Sequence, residues 1–168
     1  MSSLIAQEAP LTQQFLTLVL GEELFALPIE NIREIIEFSG LTEIPLMPSF
    51  LRGVINLRGA VVPVIDLSVR FGRERTAIAK RTCIVIIEVE RAEGLQLLGV
   101  MVDAVSEVLA VEPNQLEQRP TFGAQIRTDF IAGILKQGER FVIVLDIPHV
   151  LSFDELAELA DSLQHTGA

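Results

Sequence analysis

The chain repeats itself, and no other feature restricts its fold as much. Residues 24–36 (LFALPIENIREII) align with residues 97–109 (LLGVMVDAVSEVL) at an offset of 73. Acids coincide at Glu30/Asp103 and Glu34/Glu107, and apolar residues at Ile29/Val102, Ile32/Val105, Ile35/Val108 and Ile36/Leu109. Farther along, Phe50 and Gly53 match Phe130 and Gly133, while Val62, Val64 and Asp66 match Val142, Val144 and Asp146, now at an offset of 80. A connection has lengthened between the two blocks. Apolar strands match one another by chance; a shared Phe, Gly and Asp are harder to obtain that way. One structural unit used twice is the physical reading, with two similar all-β halves of five or so strands, their cores near residues 15–71 and 82–151.

The local pattern supports strands. Residues 15–20 and 24–27 read as a hairpin around the turn Gly21, Glu22 and Glu23, and Pro28 opens a short helical turn over 29–33. Ile35 and Ile36 start another strand. Residues 53–57 and 60–66 form a hairpin with a tight turn at Arg58-Gly59, and Pro63 predicts an edge position because proline cannot donate to a ladder. Residues 72–81 are polar and basic and predict an exposed connection. Strands resume at 82–89, 95–102 and 108–111, and a last hairpin spans 130–136 and 140–146 around Gly138. Residues 113–128 are polar and irregular. Ser152 and Glu155 form a capping box ahead of Leu156, Leu159, Ala160 and Leu163, which recur at helical spacing; a C-terminal helix over 152–165 follows. Residues 1–12 read as a frayed tail. Many short strands separated by frequent turns place the chain among small barrels or sandwiches.

Composition removes several functions. The 168 residues carry a net charge of −10. Nucleic acid and anionic membrane both require a cationic face, so neither is a main partner. One Cys and two distant His exclude an internal disulfide and a multi-His or Cys-rich metal centre. Mean hydropathy is +0.44, yet no apolar run approaches the roughly 18 residues of a membrane helix. The N-terminus has neither basic residues nor a long apolar stretch, so no signal peptide is expected and the cytoplasm is the expected compartment. Such hydropathy without a membrane span fits a thick core, or apolar surface kept for partners.

Residues 50–67, FLRGVINLRGAVVPVIDL, closely resemble the signature of the CheW family of chemotaxis coupling proteins. Residues 99–109 resemble the family's other recurrent segment, and the likeness runs from about Phe15 to about Leu156. The resemblance implies a fold of two five-stranded SH3-like barrels sharing a hydrophobic core, all-β apart from a few short helices, which agrees with the repeat. It also implies a non-enzymatic adaptor without cofactor or metal, which links methyl-accepting chemoreceptors to the regulatory domain of the histidine kinase CheA and is recruited to membrane receptor arrays without inserting. Receptor tips are expected in the groove between the barrels, at Ile32 on the first short helix and at the turn Asn56, Leu57, Arg58 and Gly59. Kinase contact is expected on outer barrel faces.

Each of these residues also has a plainer role. Arg58 suits a solvated turn, and an isolated Ile such as Ile32 is more often core than contact. Cys83, inside TCIVII, reads as a small buried hydrophobe, and His149 as structural. Asp66 and Asp146 end matched strands and are expected to cap the next turn by accepting backbone amides; symmetry explains the pair without acid–base chemistry. Glu34 and Glu107 are expected on strand faces, and the basic run from Arg70 to Arg81 in a solvated connection. No phosphate loop, Ser-His-Asp order or Cys-x-x-Cys is present. Two other functions stay open on the residues: an adaptor of a chemosensory-like pathway such as pilus motility, and a small-molecule-binding β-barrel, which would require an enclosed pocket with converging polar groups and perturbed carboxylates.

Overall fold

The computed structural model describes residues 12–91, 94–117 and 126–151. Eleven strands follow one another: β1 (Gln13–Leu20), β2 (Glu23–Pro28), β3 (Ile32–Glu37), β4 (Leu51–Leu57), β5 (Ala60–Asp66), β6 (Cys83–Arg91), β7 (Gly94–Val102), β8 (Ala104–Val111), β9 (Leu116–Glu117), β10 (Ile131–Gln137) and β11 (Arg140–Leu145). Two short helices, α1 (Leu67–Arg70) and α2 (Ile147–Leu151), follow β5 and β11. The expected tail and C-terminal helix lie outside the described residues.

The strands form two sheets, ordered β8-β1-β2-β11-β10-β9 and β3-β6-β7-β5-β4. Five positions correspond one to one. β1 and β2 hold the places of β6 and β7, β3 that of β8, and β4-β5 those of β10-β11. Even the direction of pairing is repeated: β2 runs parallel to β11, as β7 does to β5. The short β9 has its counterpart in the isolated bridge between Thr42 and Val54.

The sheets do not follow the sequence halves. Each half surrenders its first hairpin to the other, so β1-β2 completes the sheet of β8, β10 and β11, and β6-β7 completes that of β3, β4 and β5. The connections explain the exchange. A strand folds back on its neighbour through residues with positive φ, as at Gly21 between β1 and β2. Between β2 and β3 stands instead a 3-10 turn, Ile29–Asn31, entered from Pro28 at φ −59°, and between β7 and β8 only Asp103, which has no positive φ. The chain cannot double back at either point and passes to the opposite sheet. The helical turn after Pro28 is therefore real but short, and Ile32 lies on β3 rather than on a helix.

Alternating side chains divide the apolar residues into three clusters. Val62, Val64, Ile84, Ile86 and Met101 fill one barrel, with Ile36, Ile55 and Leu57 against them. Phe15, Ala26, Leu135, Val142 and Val144 fill the other. The largest cluster lies on the opposite faces of both sheets, where Leu18, Phe25, Ile65, Val85, Ile87, Leu98, Val100, Ile131 and Leu145 pack together. The aromatic contacts Phe25–Phe71 and Phe71–Phe130, at 5.1 and 5.8 Å between ring centres, cross it. This shared layer is the reason neither barrel is complete without the other.

Other expectations fare variously. Asp66 caps α1, its carboxylate accepting from the amides of Ser68 and Val69, and Asp146 accepts from the amide of His149. Pro63 is not at an edge: β5 lies inside its sheet. It is tolerated because the ladder to β7 starts one residue later, at Val64. The connection before β6 is less exposed than its composition suggests, for Thr76 and Thr82 are buried. Cys83 is half-buried, with its thiol 3.1 Å from the Arg81 carbonyl oxygen.

Candidate functional site

The turn between β4 and β5 consists of Arg58 and Gly59 alone, both with positive φ, 51° and 91°. Two left-handed residues give the mirror-image turn that matches strand twist. Gly59 adopts this conformation freely; Arg58 does so against the preference of any residue with a Cβ. Asn56 supports the turn, its side-chain Oδ1 accepting the Gly59 amide at 2.8 Å. The Arg58 guanidinium then reaches back to the Glu34 carboxylate on β3.

That pair is exposed, with 68% of the Arg58 side chain and 28% of the Glu34 side chain accessible. The Arg58 hydrogen bond holds the Glu34 carboxyl below the usual carboxylate range, and Glu34 in turn raises the Arg58 guanidinium further. At this exposure the pair contributes little to stability. It aims the side chains instead. A bulge between Ile32 and Glu34 in the β3–β6 ladder re-directs the side chains beyond it, as bulges do. Arg33, the residue before Glu34, pairs with Glu88 of β6 at 3.0 Å, so successive residues of this edge strand each carry an ion pair.

The candidate residues divide. Arg58, Gly59 and Asn56 are exposed at the turn, whereas Leu57 packs into the barrel beside Val62 and Val64 and serves the core. Ile32 is partly buried against the layer between the barrels. Immediately before it, Pro28 and Asn31 form one wall of an open groove of about 400 Å³ whose other wall is Ile147 and Pro148. Glu34, which sequence reasoning left on an unspecified strand face, is the partner of Arg58. Its signal was the match with Glu107, which accepts a hydrogen bond from the Gln137 amide at 3.1 Å beside the turn between β10 and β11. Both barrels thus tie an acid to a hairpin tip, one through an ion pair and the other through a neutral amide.

Residues 14–155 match the CheW-like domain. The chain is 34% identical to the chemotaxis protein CheW of Klebsiella aerogenes, over 86% of this chain and 85% of that one. It is likewise 34% identical to CheW of Treponema pallidum, over 88% and 87% of the two chains. The chain belongs to the CheW family. A solved structure, the scaffolding protein CheW of Thermoanaerobacter tengcongensis, shares 35% identity and superposes with a TM-score of 0.73 over 83% of this chain and 87% of that one. FrzA of Myxococcus xanthus is 27% identical over 94% of this chain and 92% of its own.

Membership fixes the broad function: the chain is a non-enzymatic adaptor of chemotaxis signalling, built as two SH3-like barrels with a shared core. The geometry suits that role. The groove beside Ile32 is open, not an enclosed ligand cavity, and the lowered Glu34 belongs to a solvent-facing ion pair. Among the described residues, no helix is long and apolar enough to cross a membrane.

Proposed function

We propose that this chain bridges the cytoplasmic tips of methyl-accepting chemoreceptors and the regulatory domain of a CheA-type histidine kinase, working in the cytoplasm at membrane receptor arrays. The receptor side comprises Ile32 and the turn Asn56, Leu57, Arg58 and Gly59. The carrying observation is Arg58: an exposed guanidinium fixed by a left-handed turn and by Glu34. A receptor tip is a helical hairpin, which docks through apolar anchors while rim charges set its orientation. The groove next to Asn31 offers apolar contacts from Pro28, Val89, Leu145, Ile147 and Pro148, and Arg58 offers the charge. Guanidinium has five donors in one plane, so donors not engaged by Glu34 remain for a receptor carboxylate or carbonyl. Preorganisation lowers the entropy lost on docking. Leu57 acts from within, holding the turn on the barrel.

The bridging role follows from two unlike ends on one body. Heterologous contacts of this kind close into rings when the rotation allows, and a lattice multiplies weak contacts through effective concentration. Signalling then requires the adaptor to bind two kinase states with different affinity. The likeness to FrzA supports a second output, a chemosensory pathway other than flagellar chemotaxis, served by the same surface.

The deciding experiment measures binding of the purified chain to a receptor tip and, separately, to a kinase regulatory domain from the same source. Arg58→Glu is expected to weaken receptor binding by at least ten-fold, about what removing one charged anchor costs, with kinase binding and Tm unchanged. Loss of both affinities together, or of neither, removes Arg58 from the receptor site.

A further inference from the structure

The β6–β7 hairpin is longer than its counterpart β1–β2. Leu16 and Val85 are equivalent, since each pairs with the matched residue of β8 or β3, Val108 or Ile35. Eleven positions separate Leu16 from its partner Leu27, and fifteen separate Val85 from its partner Val100. The shorter hairpin ends its ladder at Leu20 and Glu23. The longer one passes the equivalent pair, Val89 and Gln96, and adds Glu90 opposite Leu95 and Arg91 opposite Gly94. One repeat therefore carries a projection that the other lacks.

Alternation decides what the projection shows. Ile84 and Ile86 fill their barrel, and Leu97 packs against them. The next residue of β6 on that face, Glu88, is 26% exposed and pairs with Arg33. Glu90 and Leu95 continue the face past the end of the barrel core. There Glu90 is exposed, and so is 63% of Leu95. The base of the projection also borders the groove next to Asn31, which Val89 and Glu90 line together with Pro28, Asn31, Ile147 and Pro148. Two carboxylates line this groove, Asp146 and Glu90, and among the described residues no cation does. Asp146 is engaged by the amide and the imidazole of His149. The Glu90 carboxylate has neither a hydrogen bond nor an ion pair among the described residues.

We propose that Glu90 and Leu95 select receptor tips that carry a Lys or Arg at this point, and so fix the register of the tip on this chain. Glu90 pairs with the cationic head. Leu95, directly across the hairpin, covers the aliphatic stem that such side chains lay along apolar surface. The tip is then read at two places of opposite sign: Arg58 takes a carboxylate or carbonyl, and Glu90 takes a cation. A helical hairpin held in this way cannot slide or reverse without bringing like charges together, which lowers affinity for the wrong arrangement. The inference rests on the reading that a receptor tip docks at the Arg58 turn and in this groove.

The test measures binding of the full chain to a receptor tip and, separately, to a kinase regulatory domain from the same source. It is run at about 0.1 M and about 1 M salt, where charges are screened over about 10 and 3 Å. Glu90→Lys is expected to weaken receptor binding about ten-fold at the lower salt and about two-fold at the higher, with kinase binding and Tm unchanged. Glu90→Gln is expected to fall between, and Leu95→Ser to lose about three-fold at both salts. Among receptor tips with single Lys or Arg residues changed to Glu, one is expected to restore binding to Glu90→Lys. Unchanged or tighter receptor binding by Glu90→Lys overturns the proposal, as does unchanged binding by Leu95→Ser. So does a Glu90→Lys deficit that ignores salt, that is shared with the kinase domain, or that no tip variant restores. Arg58→Glu separates the two readings. If that variant binds receptor tips normally, the docking reading fails and this proposal with it; if it is impaired while Glu90→Lys binds normally, only the role of Glu90 fails.

Discussion

Asp66 and Asp146 occupy the same place in the two repeats and live in different surroundings. Both end a strand and cap a helix. Asp66 is wholly buried, pairs with Arg52 at 2.8 Å, and accepts from both the amide and the hydroxyl of Thr76, at 2.9 and 2.8 Å. Asp146 is partly exposed and pairs with His149 at 3.0 Å. One part of the difference is a substitution between repeats: the position equivalent to Arg52 is Ala132. Around Asp66 the connection toward β6 is drawn down onto the barrel through Thr76. Backbone architecture and the matched acids recur in both halves; the partners of those acids do not.

Breaking the comparison at Asp66 carries the largest expected effect. Asp66→Ala leaves Arg52, whose side chain is only 8% exposed, without its counter-charge in the interior. Removing one member of a buried pair costs about 3–5 kcal/mol. Asp146→Ala removes a cap and an exposed imidazole contact, worth about 1 kcal/mol. Urea unfolding of the two variants measures both. Equal losses would show that the caps alone matter and that the Arg52 pair adds nothing.

The matched glycines come next. At Gly53, φ is +154° and an added Cβ would stand 2.2 Å from the Thr42 carbonyl oxygen. At Gly133 the nearest atoms are the Leu116 side chain at 2.7 Å, followed by the Glu117 carbonyl at 2.9 Å, and φ is not in the left-handed region. The same close approach of a neighbouring strand is therefore rigid in one barrel and partly yielding in the other. Gly53→Ala is expected to lose about 3 kcal/mol, by backbone strain and clash together, and Gly133→Ala visibly less. The same unfolding assay decides, and the reverse order would contradict the account of the bridge between Thr42 and Val54.

How much of this was legible follows from what a repeat encodes. Matching residues locates equivalent strands, the aspartate caps and the tight turn at Arg58, because these depend on neighbours in sequence. It does not say which copy a strand pairs with, since β1 and β6 carry equivalent patterns and either satisfies the same partner. The exchange of hairpins is decided by the absence of a turning residue at Ile29–Asn31 and Asp103, a negative signal that is easily passed over. Pro63 misled for a related reason: proline forbids one hydrogen bond, and a parallel ladder starting late leaves that bond unneeded. Resemblance puts Ile32 and Leu57 on the receptor side; what it does not give is that each also packs partly against a core cluster. The partner of Glu34 lies on another element, beyond the reach of any local pattern.

The smallest effect tests the two hairpin tips. Glu34 is hydrogen-bonded by a cation and Glu107 by the neutral amide of Gln137. A cationic donor favours the ionised acid, and Arg58 accordingly lowers the Glu34 carboxyl. The sign is fixed by linkage. A carboxyl lowered in the folded state adds stability above its unfolded pKa, and that contribution disappears as pH falls through the folded value. The tip pair should thus remain intact at every pH near neutrality and open only in acid, below the ordinary glutamate range. A side-chain carboxyl titration by NMR is expected to show Glu34 titrating below the ordinary glutamate range, and Arg58→Ala to move its midpoint back up toward that range. Tm at neutral pH should scarcely change. A Glu34 midpoint insensitive to Arg58→Ala would mean that the turn is held by Asn56 and backbone conformation alone, and that the guanidinium is free to swing toward any partner. An Arg58-dependent midpoint means that a receptor carboxylate must share or displace Glu34, which makes Glu34→Gln the variant expected to strengthen docking of an acidic tip while loosening its orientation.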